Sequence, residues 1–160
     1  MATEGITRVI EGGVSAQNKK FAIVVSTFNQ TITQKLLDGA LQCFRKNGPA
    51  DVDVYRCPGA FELPQVASII TQQKKYDAVL CLGAVIRGET PHFDYICQEC
   101  ARGIGQVSHE RGIPVLFGVL TTNTFEQAME RAGGSVGNKG YDTALGAIEM
   151  ANLFGQIISQ

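Results

Sequence analysis

The sequence predicts one α/β domain of three layers, in which a four-stranded parallel sheet lies between two layers of helices. Short runs of β-branched and apolar residues alternate with segments of helical periodicity, and no internal repeat or low-complexity linker interrupts them. Parallel strands need crossover helices, which cover both faces of the sheet. The 160 residues, 44% of them hydrophobic, suffice for the core of one domain. The predicted strands are Phe21–Ser26, Val52–Arg56, Ala78–Ile86 and Pro114–Leu120.

The first three helices are predicted from their apolar faces and their end signals. Apolar residues recur at helical spacing over Ile32–Phe44, and Gly48-Pro49 ends the pattern. A second helix is predicted to begin near Ala60. In the third, Thr90 is the predicted cap and Pro91 the first helical residue, because proline suits that position.

Two more helices are predicted after the fourth strand. Thr124–Gln127 reads Thr-Phe-Glu-Gln, a capping box that opens a helix ending at Gly133-Gly134. The last helix is expected to run from about Tyr141 to Ile157.

Residues 1–20 are predicted to be an extension that precedes the domain of residues 21–160. Ile6–Ile10 has an extended-looking pattern, but the chain between it and the first strand is too short for a helical crossover. We therefore do not expect this segment to join its own sheet in parallel. It either lies on the sheet edge of a neighbouring subunit or is a frayed terminus.

Charge and cysteine content exclude several classes of protein. With 14 Lys and Arg against 15 Asp and Glu, no positive field is available to bind nucleic acid. No stretch approaches the roughly 20 apolar residues of a membrane span, and no signal-peptide pattern opens the chain, so a cytoplasmic protein is expected. The five cysteines lack the spacing of a zinc site, and Cys97-x-x-Cys100 lies well inside a helix, which favours buried thiols over metal or redox sites.

The doubly wound, flavodoxin-like order places a crevice between the first and third strands, at their carboxyl ends. The loops Thr27–Asn29 and Gly83–Pro91 are expected to meet there. Residues Arg87–Thr90 lead into a helix N-terminus, where free amides and the helix dipole favour an anion, so they are a candidate phosphate cradle. An ordinary capped helix is the alternative. His92, in the first turn, is then either a general acid and base or a surface histidine.

Further candidates lie in two other segments. Pro58–Pro64 follows the second strand at the same sheet edge, and its Phe61 and Glu62 suit a planar heterocycle, although a plain strand-to-helix turn explains the pattern equally well. Arg131 and Lys139 could supply cations to a phosphate, although solvated surface charge is the usual role of each.

Five motifs in this order and spacing closely resemble the lumazine synthase family. The resemblance extends from about Lys20 to Leu153 and implies the family's reaction, the condensation of 5-amino-6-(D-ribitylamino)uracil with 3,4-dihydroxy-2-butanone 4-phosphate. That reaction yields 6,7-dimethyl-8-ribityllumazine, phosphate and water, and the family uses neither a metal nor an organic cofactor. The motifs are Ser26–Asn29, Pro58–Pro64, Gly83–Asp94, Leu116–Thr122 and Glu130–Gly140.

The resemblance also implies roles for individual residues. Phe28 would stack on the pyrimidine, and His92 would transfer protons. Glu89 and Thr90 would form the phosphate cradle, with Arg131 as its cationic partner. The remaining pocket for the ring and its ribityl chain would consist of Ala60, Phe61, Glu62, Ala84, Val85 and Ile86.

A homo-oligomer built from pentamers is a further implication. Phe117 would be an aromatic lid offered by the adjacent subunit, and Lys139 a further contact. The short connection Gly133–Gly140 resembles that of members that assemble into shells of 60 subunits, which is the expected form. Riboflavin synthase, the next enzyme of the pathway, is a candidate partner for the interior of such a shell.

Two other functions fit the same scaffold. A relative that only binds flavin, or only builds a shell, is the main alternative, and the joint presence of Thr90, His92 and Arg131 argues against it. An electron carrier is disfavoured because the candidate phosphate loop follows the third strand and not the first.

Overall fold

The central sheet has four parallel strands in the order β2-β1-β3-β4, which confirms the predicted fold class. The structure is a computed structural model that describes residues 4–160. Its strands lie close to the predicted segments: β1 (Lys19–Ser26), β2 (Ala50–Cys57), β3 (Ala78–Ile86) and β4 (Val115–Thr122).

Helices cover both faces of this sheet. The fourth strand is followed by a short helix and a small antiparallel hairpin. The helices are α1 (Gln30–Asn47), α2 (Leu63–Thr71), α3 (His92–Arg111), α4 (Phe125–Arg131) and α5 (Lys139–Ile158), and the hairpin strands are β5 (Ala132–Gly134) and β6 (Gly137–Asn138).

Strand β1 is buried on both faces, so it contributes to two separate cores. Phe21 and Ile23 pack with α1 and α5 on one side of the sheet, whereas Ala22 and Val24 pack with α2 and α3 on the other. Successive side chains of a strand point to opposite faces, and a central strand covered on both faces therefore reads as one continuous apolar run.

The chain reverses its winding direction between β1 and β3. From β1 it crosses to β2 on one side, and the next strand, β3, lies on the other side of β1. The loops that leave the carboxyl ends of β1 and β3 therefore diverge, and a crevice opens between them as predicted.

Several boundaries differ from the predicted ones for local reasons. Helix α3 begins at His92, one residue after Pro91, and a single 3₁₀ turn over Ala60–Glu62 precedes α2. The segment Gly133–Gly140, expected to be a simple connection, contains most of the β5–β6 hairpin. Helix α5 begins two residues before the predicted Tyr141, because the side chain of Asn138 accepts a hydrogen bond from the Tyr141 amide at 3.1 Å and caps the helix.

Four of the five cysteines are buried, as predicted, and Cys97 is half-buried. Burial raises the pKa of the Cys57 thiol to about 11 and that of the Cys100 thiol to about 12. These side chains are therefore thiols at neutral pH and pack as small apolar groups. Within residues 4–160 no helix is long and apolar enough to cross a membrane.

Residues 11–15 of the N-terminal segment lie against α5, and residues 4–18 pair with none of the four sheet strands. The side chain of Asn152 donates to the carbonyls of Gly13 and Ser15 at 2.7 and 2.9 Å, while Ile6 and Val9 stay exposed. The prediction that this segment does not join its own sheet is confirmed for the described residues.

Helices α1 and α5 approach so closely at Gly140 that a β-carbon there would overlap the carbonyl of Leu36. We expect Gly140→Ala to destabilise the fold by about 1–3 kcal/mol, the usual cost of overpacking. Gly155→Ala in the same helix is the matched control, because nothing lies within 4 Å of its added β-carbon. Alanine should be neutral or stabilising there, by up to about 1 kcal/mol. Thermal unfolding midpoints at equal protein concentration test this, and similar midpoints for the two variants would contradict it.

Candidate active site

A crevice of about 590 Å³ opens at the carboxyl ends of β1 and β3, between the starts of α2 and α3. Most of the candidate site residues predicted from the sequence line this crevice, and they come from four separate loops and strand ends. The lining residues are Phe28, Gly59, Ala60, Phe61, Glu62, Ala84, Val85, Ile86, Gly88, Thr90, His92, Phe93 and Ile96.

Two aromatic rings stand at this crevice without being buried. Phe28 is 71% exposed and Phe61 is 45% exposed, whereas Ala84 at the end of β3 is buried. Exposed phenylalanines in a concave site favour a flat ligand, because stacking removes their apolar faces from water. The geometry therefore suits a planar ring held against the end of β3.

The position of Phe28 is set by its neighbours in the loop after β1. The Phe28 amide donates to the carbonyl of Pro58 at 2.9 Å, which docks this loop onto the loop that follows β2. Asn29 adopts a left-handed conformation with φ of 60°, and its side-chain amide donates to the carbonyl of Ala84 at 3.0 Å. Sequence reasoning assigned no role to Asn29. Its place between a strand and a helix was an available signal, because asparagine tolerates left-handed backbone.

Glu62 lines the crevice from the loop that follows β2. It sits in the turn before α2, where its amide donates to the carbonyl of Gly59 at 3.2 Å and its carboxylate lies close above Gly59. Pro64, at the start of α2, needs no amide partner there. The carboxylate is half-buried and can accept hydrogen bonds from hydroxyl or amine groups of a ligand.

The loop that leads into α3 supplies the polar end of the crevice. Thr90 and His92 line it, and the His92 amide points toward the Thr90 hydroxyl oxygen at 3.5 Å. A helix N-terminus with a hydroxyl beside it can bind an anion, and an imidazole there is placed to transfer protons. Glu89 is exposed on the same loop and does not line the crevice.

Three predicted site residues lie elsewhere. Phe117, Arg131 and Lys139 line a second hollow, of about 440 Å³, beside the outer strand β4. Phe117 is 40% exposed, and the Arg131 guanidinium donates to the carbonyl of Gln127 at 3.0 Å. One copy of the chain therefore does not bring these three residues together with the crevice.

Phe93 and Ile96 are crevice residues to which sequence reasoning assigned no role in the site. Phe93 is 9% exposed and Ile96 half-buried, so each packs against the domain and also lines the crevice. Periodicity identifies the inner face of a helix, but it does not show where a cavity meets that face.

Comparison with known proteins gives one consistent result. The family model described as 6,7-dimethyl-8-ribityllumazine synthase matches residues 18–155. A curated protein of that name from Desulfatibacillum aliphaticivorans is 56% identical over 148 residues, which cover 91% of this chain and 96% of the relative. Its namesake from Chlorobium phaeovibrioides is 58% identical over 147 residues, covering 91% and 95%. A third, from Desulfotalea psychrophila, is 58% identical over 146 residues, covering 90% and 94%.

Proposed function

This chain belongs to the 6,7-dimethyl-8-ribityllumazine synthase family, and from that premise we propose how its residues carry out the family's reaction. The enzyme is a transferase of riboflavin biosynthesis. It condenses 5-amino-6-(D-ribitylamino)uracil with 3,4-dihydroxy-2-butanone 4-phosphate and releases 6,7-dimethyl-8-ribityllumazine, phosphate and water. The observation that carries the assignment of the site is the crevice itself, where exposed aromatic rings and a polar helix N-terminus line one cavity.

The pyrimidine binds at the apolar end of the crevice. Phe28 stacks on the ring, Phe61 and Glu62 contact the ring and the ribityl chain, and Ala84–Ile86 form the floor. The exposure of both phenylalanine rings supports this arrangement, because a bound heterocycle would cover them.

The phosphate of the ketone binds at the start of α3. Glu89 contributes through the main chain of the loop, since its carboxylate would repel the anion, and Thr90 contributes through its amide and hydroxyl. The helix dipole adds a favourable field at that end.

Little covalent chemistry is required of the protein. The 5-amino group of the diamine is already a nucleophile and the ketone carbonyl an electrophile, so orientation and proton transfer are the main contributions. His92 receives and returns the protons of imine formation, phosphate elimination and ring closure, because it stands beside Thr90 at the crevice.

A second copy of the chain completes the site. In this arrangement the hollow beside β4 of one subunit faces the crevice of the next. Phe117 then closes over the pyrimidine, Arg131 pairs with the phosphate and Lys139 is a further contact. The division of the candidate residues between two hollows supports this reading, as does the open edge of β4. Contacts of this head-to-tail kind close into a ring of five when each subunit is rotated by a fifth of a turn, about 72°, from the last.

The N-terminal segment contributes to the same assembly. Its exposed Ile6 and Val9 are suited to pair with the free edge of β2 in a neighbouring subunit, where backbone donors and acceptors are available. A frayed terminus remains the competing reading of this segment.

We expect pentamers to assemble further into a shell of about 60 copies of the 17.2 kDa chain, roughly 1,030 kDa in all. The compact β5–β6 hairpin supports this expectation, because a short connection lets the last helices of adjoining pentamers approach. Sedimentation velocity at micromolar concentration and neutral pH measures the mass. A single species near 86 kDa, about five chains, would exclude the shell and leave the shared site intact.

Two wider proposals accompany this function. The enzyme acts in the cytoplasm, in keeping with five free cysteines of which four are buried. Riboflavin synthase, which consumes the lumazine, is its candidate partner inside the shell.

The reaction can be tested directly. The protein is mixed with both substrates, and lumazine fluorescence and released phosphate are followed together. Equal amounts of both products are expected. Tight riboflavin binding without either product would support the non-catalytic alternative.

A further inference from the structure

Arg87 lies between β3 and the loop that carries Thr90, and its side chain contacts the far end of that loop. The guanidinium carbon is 4.3 Å from the centre of the Phe93 ring, and Nη1 is 3.4 Å from Oδ1 of Asp94. Nε donates to Oδ1 of Asn123 at 2.9 Å, so the same side chain also reaches the turn after β4. One arginine thus joins three segments of the chain.

We propose that Arg87 is a positioning residue that clamps the Gly88–Pro91 loop in the geometry required for binding the ketone phosphate; this rests on the proposed function. The loop has little packing of its own, since a β-carbon on Gly88 would meet nothing within 4 Å. Among the described residues, only one hydrogen bond involves a side chain of residues 88–91, and in it the His92 amide donates to Thr90 Oγ1 at 3.5 Å. The contacts of Arg87 hold both ends of the loop instead.

The chemistry of arginine suits this role, and that of lysine does not. A planar guanidinium stacks on an aromatic ring and directs donors to two acceptors at fixed angles, whereas an ammonium is a point charge. The Arg87 side chain is 46% exposed, so its ion pair with Asp94 contributes little to stability by itself. The contacts of Arg87 therefore act mainly by fixing the geometry of the loop.

Asn123, the partner of Arg87 in the turn after β4, is itself held by a hydrogen bond. The Asn123 amide donates to Oε1 of Gln127 at 2.8 Å, and Gln127 belongs to the capping box that starts α4. Asn123 therefore presents its side-chain oxygen to Arg87 from a rigid turn, and the clamp fastens the phosphate loop to the frame of the domain.

The test compares Arg87→Ala, Arg87→Lys and Asn123→Ala with the wild-type protein. We expect Arg87→Ala to raise the KM for the phosphorylated ketone by roughly 10- to 100-fold, because small displacements of positioning groups are costly. The KM for the pyrimidine should change by less than about two-fold. The ketone KM of Arg87→Lys should be close to that of Arg87→Ala. If lysine instead restored the wild-type ketone KM, a simple charge effect would explain the role of Arg87 and the clamp would be overturned. Arg102→Ala, which removes an exposed arginine paired with Glu99 on α3, is the control and should change neither KM.

A double substitution separates the clamp from independent contacts. If Arg87 acts through Asn123, then Arg87→Ala combined with Asn123→Ala should be no worse than Arg87→Ala alone. Additive losses would overturn the proposal. Should Arg87→Ala fail to fold, Asn123→Ala and Asp94→Ala each remove one contact of the Arg87 side chain, and an unchanged ketone KM in both would equally overturn the proposal.

Binding of inorganic phosphate, measured by calorimetry, distinguishes failure of the clamp from failure of the proposed function. A wild-type protein that binds phosphate but forms no lumazine would disprove the function and leave the clamp testable through the phosphate Kd. An active wild-type protein whose ketone KM and phosphate Kd are unaffected by Arg87→Ala would disprove the clamp alone.

Discussion

His92→Ala is expected to lower the turnover number by about 10²–10⁴-fold without abolishing activity. The imidazole lines the crevice beside Thr90, where protons must be moved during imine formation, phosphate elimination and ring closure. Some activity should remain, because the two substrates react with each other without an enzyme-bound nucleophile and the crevice still orients them.

His109 provides the matched control for this substitution. It is the second of the two histidines, exposed near the other end of α3, and His109→Ala should leave turnover unchanged. Steady-state rates on correctly assembled protein, checked by sedimentation, make the comparison. A complete loss of activity in assembled His92→Ala would show that the residue does more than transfer protons.

Arg131→Ala is expected to weaken use of the phosphorylated ketone far more than use of the pyrimidine. A charge-assisted hydrogen bond to phosphate is worth roughly 1.5–3 kcal/mol, which corresponds to about 10- to 150-fold in apparent affinity. The measurement is the KM for each substrate in turn. An unchanged KM for the ketone would remove Arg131 from the site.

The same variant tests whether the site is shared between subunits. His92→Ala alters the crevice and Arg131→Ala the hollow beside β4, so neither homo-oligomer has an intact site. In an equal, randomly mixed oligomer, about one contact in four joins an intact crevice to an intact hollow. Assayed at low ketone concentration, the mixture should recover about a quarter of wild-type activity.

A second mixture controls for nonspecific recovery. Phe61→Ala and His92→Ala both alter the crevice, so no arrangement of these two subunits contains an intact crevice. The activity of their mixture should therefore equal the mean of the activities of the two variants. If the activity of the mixture of His92→Ala with Arg131→Ala also equals the mean of the two variants, then a neighbouring subunit does not complete the crevice.

The elements of the fold were predicted well wherever the signal is local. Helix α1 was predicted from its apolar stripe and from Gly48-Pro49, and the Thr124 capping box is present with both of its hydrogen bonds. One of the boundaries that differ from the prediction, the start of α5, depends on an Asn138 cap within the β5–β6 hairpin. Hairpin pairing is a contact between segments, which the glycine-rich pattern of Gly133–Gly140 does not specify.

In the candidate site, too, the residues with local signals were identified from the sequence, and those that depend on distant contacts were not. Phe28, Phe61 and Thr90 were identified from loop chemistry and from the family resemblance, and the structure brings all three to one crevice. Asn29 was assigned no role, and Arg87 was included only as the first residue of the candidate phosphate cradle, because their partners Ala84 and Asn123 are distant in sequence and no periodicity connects them.

What the sequence alone determined is the four strands of the sheet, the five helices and their alternation, because strand composition, helix periodicity and turn residues act over a few neighbouring positions. The tertiary structure decided which loops meet, that Arg87 holds the loop before α3, and that Phe117 and Arg131 lie in a hollow apart from the crevice. The physical reason is that packing fixes distances between residues far apart in the chain, and those distances determine which side chains can act on one ligand.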